Sequence, residues 1–363
     1  MSFLKNIFQA KERPIKSNEE FWDWFQKNES AFAKAVKEQN DIESNFFAKL
    51  SPKLKDLKDG FYFLTGMFDK NTVELVLTAD GAINNIAFIE ALVNAAPKID
   101  GWRFTALKPA IPIKDVVIQM GGYKFSSENL NFYSNEDSNF PDEINITIVH
   151  DDFTEQNKTT IINGVYIFLD NFLGELNAVA TIDSLKVIGK KDVTMPLVSI
   201  EKLKDFLIWR QAEFVEKYEG VRHDTENDNY SALEAELENG NMLLAIINMD
   251  LLGWDRKASH PWILNVEIKY DGTATNGMPD NETYQLLGQI EDEIMENLKD
   301  IDGYLNIGRQ TADGVRDIYF ACKDFRLPSK TAYAAQQKYS KQVVISYDIY
   351  KDKYWRSFDH FVN

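Results

Sequence analysis

Gly303-Tyr304-Leu305-Asn306-Ile307-Gly308-Arg309-Gln310, Thr311-Ala312-Asp313-Gly314 and Val315-Arg316-Asp317-Ile318-Tyr319-Phe320-Ala321-Cys322 make the most sharply punctuated stretch of the chain. Asp-Gly between two strand-like runs signals a hairpin, because Gly accepts the positive φ that matches the twist of both strands. Upstream, Asp280 caps a helix with Leu287, Ile290, Ile294 and Leu298 on one side, while Glu291, Asp292, Glu293 and Glu296 are read as projecting to solvent. Downstream, another helix precedes a strand over residues 342–350, where Val343, Ile345, Tyr347 and Ile349 share one apolar face. With a strand over residues 262–270, the succession is β-α-β-β-α-β. It predicts an α+β fold in which a ferredoxin-like C-terminal domain carries its helices on one face of an antiparallel sheet.

The rest of the chain repeats part of this grammar. Strand-like runs at residues 61–68 and 73–79 flank the polar turn Asp69-Lys70-Asn71-Thr72, followed by a helix over 84–96 and a strand over 102–107. A second set has strands at 129–133 and 144–149, a helix over 157–176 and a strand at 184–188. Both predict an N-terminal α+β region built of hairpin-helix-strand units. Residues 18–50 read as two helices, the first capped by Ser17 or Asn18, and its Phe21-Trp22-Asp23-Trp24-Phe25 cluster is apolar nearly all round. That cluster reads as a helix held between layers of its own core, or as a partner-binding patch. Met1 to Phe8 reads as an amphipathic turn, too short for a signal peptide.

A helix from Ser199 to about Tyr218, a polar loop over 220–229, a short helix over 230–238 and an apolar segment over 242–252 lead into the C-terminal strands. The boundaries read here are residues 1–198 for the N-terminal region, 199–241 for a helical and acidic connector, and 242–363 for the C-terminal domain. Pro109, Pro112 and residues 190–196 interrupt the periodic segments.

Composition narrows the function. The chain has 363 residues, 44% of them hydrophobic, so it has material for more than one packed core. Forty basic against 57 acidic side chains give a net charge of −17, which repels phosphate backbones and argues against direct nucleic-acid binding. An acidic surface suits a basic protein partner. One cysteine, Cys322, cannot form an internal disulfide, and four His give no zinc spacing, so a reducing cytoplasm is the expected setting and no cofactor or metal is read. No apolar run is long enough to span a bilayer.

Few residues suggest chemistry. His150-Asp151-Asp152 ends an apolar strand, but neighbouring strand positions point to opposite faces, and residues 133–155 hold seven acids with no Lys or Arg, as a solvated acidic rim would. Asp224, Glu226 and Asp228 imitate the opening of a calcium loop, yet Asn229 stands in place of the turn Gly and Ala235 in place of the bidentate Glu. Residues 211–240 carry nine acids against Lys217 and Arg222, which favours docking a basic partner over holding an ion. Arg309 and Arg316 lie across the Asp-Gly hairpin, placed to grip a carboxylate or phosphate, or to pair with Asp317, Asp313 or the acidic helix. Cys322 shares a strand face with Ile318 and Phe320 and reads as a core thiol. Gly121-Gly122 reads as a bulge or bend, and His260 before Pro261 as a loop residue.

Gly308-Arg309-Gln310-Thr311, Asp313-Gly314-Val315-Arg316, Tyr319-Phe320 and Asp352 with Trp355 together resemble the bacterial family called domain of unknown function 695, over roughly the last quarter of the chain. Members of that family are similar to regulator B of ribonuclease E activity, a small acidic inhibitor-like protein. The resemblance implies an acidic ferredoxin-like module that works by binding protein, and it carries no catalytic residues. The expected function is that of a non-enzymatic regulator or immunity-type inhibitor. The alternatives are a hydrolase or small-ligand enzyme using an acidic cluster, and a structural protein that self-associates through the aromatic first helix.

Overall fold

The computed structural model describes residues 13–39 and 41–362, so the amphipathic turn read at Met1 to Phe8 lies outside the described residues. The chain is an α+β protein that divides into two compact units, Met1–Pro109 and Ala110–Asn363.

In the first unit, α1 (Asn18–Glu38) starts where Ser17 Oγ accepts the Glu20 N–H at 3.2 Å, with Glu19 and Glu20 complementing the helix dipole. A π-turn (Glu43–Phe47) leads into α2 (Ala48–Leu57). Then follow β1 (Tyr62–Met67), β2 (Val73–Thr78), α3 (Ile83–Asn94) and β3 (Trp102–Ala106). β1 and β2 pair antiparallel, and β3 returns parallel to β2. The aromatic residues of α1 face inward. Phe21, Trp22, Phe25 and Phe32 are buried, Trp22 and Phe25 meet Phe104 and Trp102 edge-on at 4.5 and 5.0 Å, and the Trp22 indole donates to Leu92 O at 2.8 Å.

The second unit opens with β4 (Ile118–Met120) and β5 (Tyr123–Phe125), joined by Gly121 and Gly122 at φ 58° and 83°. Of the bulge or bend read from sequence, the paired glycines make the bend, a two-residue hairpin turn, because both take the positive φ that such a turn requires. Next come β6 (Leu130–Asn135), β7 (Asn145–His150), α4 (Lys158–Leu173), α5 (Glu175–Ala180), β8 (Ser184–Gly189), β9 (Val198–Ser199) and α6 (Leu203–Tyr218). The sheet order is β8-β7-β6-β9, with β6/β7 antiparallel and β7/β8 parallel, the same hairpin-helix-strand pattern as in the first unit. Phe125, Phe132, Ile148, Val165 and Phe168 fill its core.

The remaining elements are β10 (Tyr230–Glu236), β11 (Met242–Asn248), α7 (Met249–Gly253), β12 (Trp262–Lys269), α8 (Asn281–Asn297), β13 (Tyr304–Ala312), β14 (Val315–Cys322), α9 (Arg326–Tyr339) and β15 (Val344–Lys351). They form an antiparallel sheet of order β10-β11-β13-β14-β12-β15. Here the last strand of the third hairpin-helix-strand set is separated from β14 by β12, which is inserted between them. The predicted Asp-Gly turn is present, with Asp313 and Gly314 at φ 48° and 75°. Gly308, at φ 137°, sits at a register shift in β13 where a Cβ would lie 2.1 Å from Ile246 O.

The helix read over 230–238 is instead a strand. Its Ala, Leu and Glu residues favour helix locally, but pairing with β11 along its whole length outweighs that preference.

Two carboxylates hold the chain's end against the middle of the second unit. Asp183 accepts Lys351 and Lys353 at 2.8 and 2.7 Å. Asp142 accepts Lys217 Nζ at 2.7 Å, Tyr218 OH at 2.8 Å and Tyr354 OH at 2.7 Å. Burial opposes the charge on Asp142, but these donors outweigh it and hold the carboxyl below its usual range.

Candidate functional site

The run Met242-Leu243-Leu244-Ala245-Ile246-Ile247 is apolar on both strand faces, as in strands covered on both sides. Among the described residues, one face of β11 is the better covered. Ala245 and Ile247 enter a core with Leu251, Leu305, Trp355 and Phe358. The opposite row, Met242, Leu244 and Ile246, remains 40, 41 and 37% exposed.

Register places this open row on the side of the sheet that carries α8. Ile246 stands opposite Arg309, and residues paired across strands project to the same face. Arg309 Nη1 donates to both carboxylate oxygens of Glu291 at 2.8 Å, which fixes α8 over β13. Glu291 is buried, although the helix pattern had placed it in solvent: it turns inward because two guanidinium groups wait beneath it. Tyr284, Gly288 and Met295 share the flank of α8 on which Glu291 lies. Tyr284 and Met295 are 54 and 42% exposed, and nothing stands within 4 Å of where a Gly288 Cβ would point.

β10 completes the floor. Tyr230, Ala232, Glu234 and Glu236 share the open face, with Glu234 opposite Leu244 and Glu236 opposite Met242. The result is an apolar trough, rimmed by the exposed Glu234, Glu236 and Asp292 and walled by α8. Its turn is anchored by Asp313, whose carboxylate accepts Asn239 and Asn241 from the neighbouring hairpin.

The residues singled out from sequence fall around this trough in different ways. Arg309 forms its inner border. Arg316 is buried, donates from Nε to Thr311 Oγ1 at 3.0 Å, lies 3.9 Å from Glu291 and packs beneath the Tyr284 ring. Burial, then the nearby Arg309, push its guanidinium pKa down. Asp224 and Glu226 are exposed in the loop before β10, and the Asp224 carboxylate accepts the Glu226 N–H at 2.9 Å. Asp228 is instead tied to His223 Nε2 at 2.8 Å and Asn248 Nδ2 at 2.7 Å, so the structure does not bring the three acids of this loop together around one point. The sequence reading did not identify Leu244, Ile246, Tyr284 or Gly288; the two-faced apolar run in β11 was the available signal.

The remaining candidates are structural. His150 is buried, with Nδ1 accepting the Asp152 N–H at 3.0 Å and Nε2 3.0 Å from Lys124 O, so both ring nitrogens are engaged. Asp151 pairs with Lys190 at 2.9 Å. Cys322 is fully buried, and burial raises its thiol pKa well above the usual value. His260 is also buried, between Trp254 and the segment that ends at Trp355. Among the described residues no cluster of His, Cys, Asp and Glu is arranged to hold a metal ion, and no helix is long and apolar enough to cross a membrane.

An α+β module whose sheet extends two strands beyond its helices carries this candidate site. Residues 235–362, which include most of that module, match the Family of unknown function (DUF695). No curated protein and no solved structure matches the chain.

Proposed function

We propose that this is a non-enzymatic protein-binding regulator, of the inhibitor or immunity type, whose C-terminal module receives a basic amphipathic helix of its partner in the trough over β10 and β11. We read β12 through β15 as a ferredoxin-like core, with β10 and β11 as an added binding extension. The carrying observation is the exposed row Met242, Leu244 and Ile246 beside Glu234 and Glu236. A helix about 10 Å across covers roughly two strands spaced about 4.8 Å apart, so the extension offers the footprint of one more helix beside α8. Its apolar stripe would cover Leu244 and Ile246, and its Lys or Arg residues would meet the acidic rim. The net charge of −17 would speed the approach of such a partner and make it salt-dependent. A reducing cytoplasm suits the single buried thiol.

The test is affinity capture from the protein's own cells at low and high salt, with the wild type and Leu244→Asp/Ile246→Asp compared by mass spectrometry. The expected result is a stoichiometric basic protein held by the wild type, released by salt and absent from the variant. Recovery of the chain alone at both salts, or equal capture by the variant, overturns the reading.

A further inference from the structure

β1 is an edge strand of the first unit, paired on one side with β2 from Tyr62↔Thr78 to Met67↔Val73. Residues 61–68 contain no charged residue and no proline. Tyr62, Leu64, Met67 and Phe68 are 55, 52, 43 and 51% exposed. Edge strands are ordinarily guarded against pairing by charge, proline, bulges or a covering element. β10, the edge of the second unit's largest sheet, follows that rule with Glu234 and Glu236, and Glu238 follows in its turn. β1 carries no charge and no proline, and among the described residues no strand pairs with its outer edge. In a chain of net charge −17 most surfaces repel a second copy, whereas this strand is neutral and its flanks, Lys58-Asp59 and Asp69-Lys70, are each neutral overall.

We infer that β1 pairs antiparallel with β1 of a second copy across a two-fold axis at Leu64, joining two three-stranded sheets into one continuous sheet. The sequence is self-complementary in that register. Leu64 meets Leu64, Phe63 meets Thr65, Phe61 meets Met67, and Tyr62 stands opposite Gly66. Nothing lies within 4 Å of where a Gly66 Cβ would be, so the tyrosine ring of the other copy covers the bare glycine, a cross-strand pairing known to stabilise edge glycines. The same pairing supplies partners for the outward backbone groups of β1 and sets Tyr62 and Leu64 of each copy beside Gly66 and Leu64 of the other.

The full chain decides the matter by sedimentation velocity across the micromolar range and by cysteine cross-linking. The wild type is expected to dimerise, and Leu64→Lys, which places like charges at the axis, to raise the dissociation constant at least about tenfold. Residues facing each other in an antiparallel pair have Cα atoms about 4.5–5.5 Å apart, within disulfide reach, so Leu64→Cys should form an inter-chain disulfide under mild oxidation. The native thiol is buried and does not compete. Leu244→Cys, on the open face of β11, is the control expected to remain uncross-linked. A monomeric wild type, a dimer indifferent to Leu64→Lys, or cross-linking at Leu244→Cys but not at Leu64→Cys overturns the inference. Because Leu64 is half exposed, both variants should retain the far-UV circular dichroism of the wild type; if the lysine variant did not fold, the cross-link alone would decide.

Discussion

Arg309 holds the buried carboxylate of Glu291 through a single nitrogen, 2.8 Å from each oxygen, while Arg316 lies 3.9 Å from the same group. One carboxylate therefore serves two guanidinium groups beneath α8. Removing it leaves both cations short of a partner in a poorly solvated site. Glu291→Leu should cost about 3 kcal/mol, the usual penalty for breaking a buried pair from one side. Urea unfolding followed by labelling of the buried Cys322 thiol reports on the same sheet, and an unchanged midpoint would refute this account.

His260 predicts acid sensitivity. Burial, and then the positive charges of Lys323, Arg222 and His223, lower its pKa from 6.5 to about 4. The unfolded chain takes up this proton first as the pH falls, so stability from His260 is complete above pH 6.5 and is lost on descending to about pH 4. The total is about 3–4 kcal/mol at roughly 1.4 kcal/mol per pH unit. Urea midpoints at neutral pH and near pH 5 should fall less for His260→Gln than for the wild type; equal slopes would count against it.

Asp142 makes the opposite kind of acid–base contribution. Its folded pKa is depressed below 3.8, so its stabilisation is present above that value and disappears as the pH falls through the folded pKa. At neutral pH, Asp142→Asn should cost roughly 2–3 kcal/mol, because Tyr218 and Tyr354 lose a charged acceptor. Lys217→Met should cost less, since that ammonium is about half exposed. Thermal melts of both variants give the order, and a larger loss from Lys217→Met would contradict it.

Two glycines should respond with opposite signs to the same substitution. Gly308→Ala places a methyl 2.1 Å from the backbone oxygen of Ile246 at a φ of 137°, and should cost more than about 2 kcal/mol. Gly288→Ala sits in α8 with open space around it and should stabilise by about 0.5–1 kcal/mol. Equilibrium denaturation of the pair checks both, and a destabilised Gly288→Ala would show that α8 is already covered on that flank.

Local chemistry alone determined the Asp313-Gly314 turn, the Ser17 and Asp280 caps, the inward faces of α1 and α8, and the β-α-β-β-α-β succession. A φ preference, a capping oxygen and a repeat of apolar residues act within a few positions of themselves. The α+β class and the resemblance over the last quarter were legible for the same reason. The strand nature of Tyr230–Glu236 was not, because its own residues favour helix and only β11 supplies the competing hydrogen bonds. The inward turn of Glu291 depended on Arg309 and Arg316, and the trough on sheet register placing Ile246 opposite Arg309, on the side of the sheet that carries α8. Sequence spacing gives the side of a helix or strand on which a residue lies; only the tertiary structure decides whether another element covers that side, because burial depends on neighbours far away along the chain.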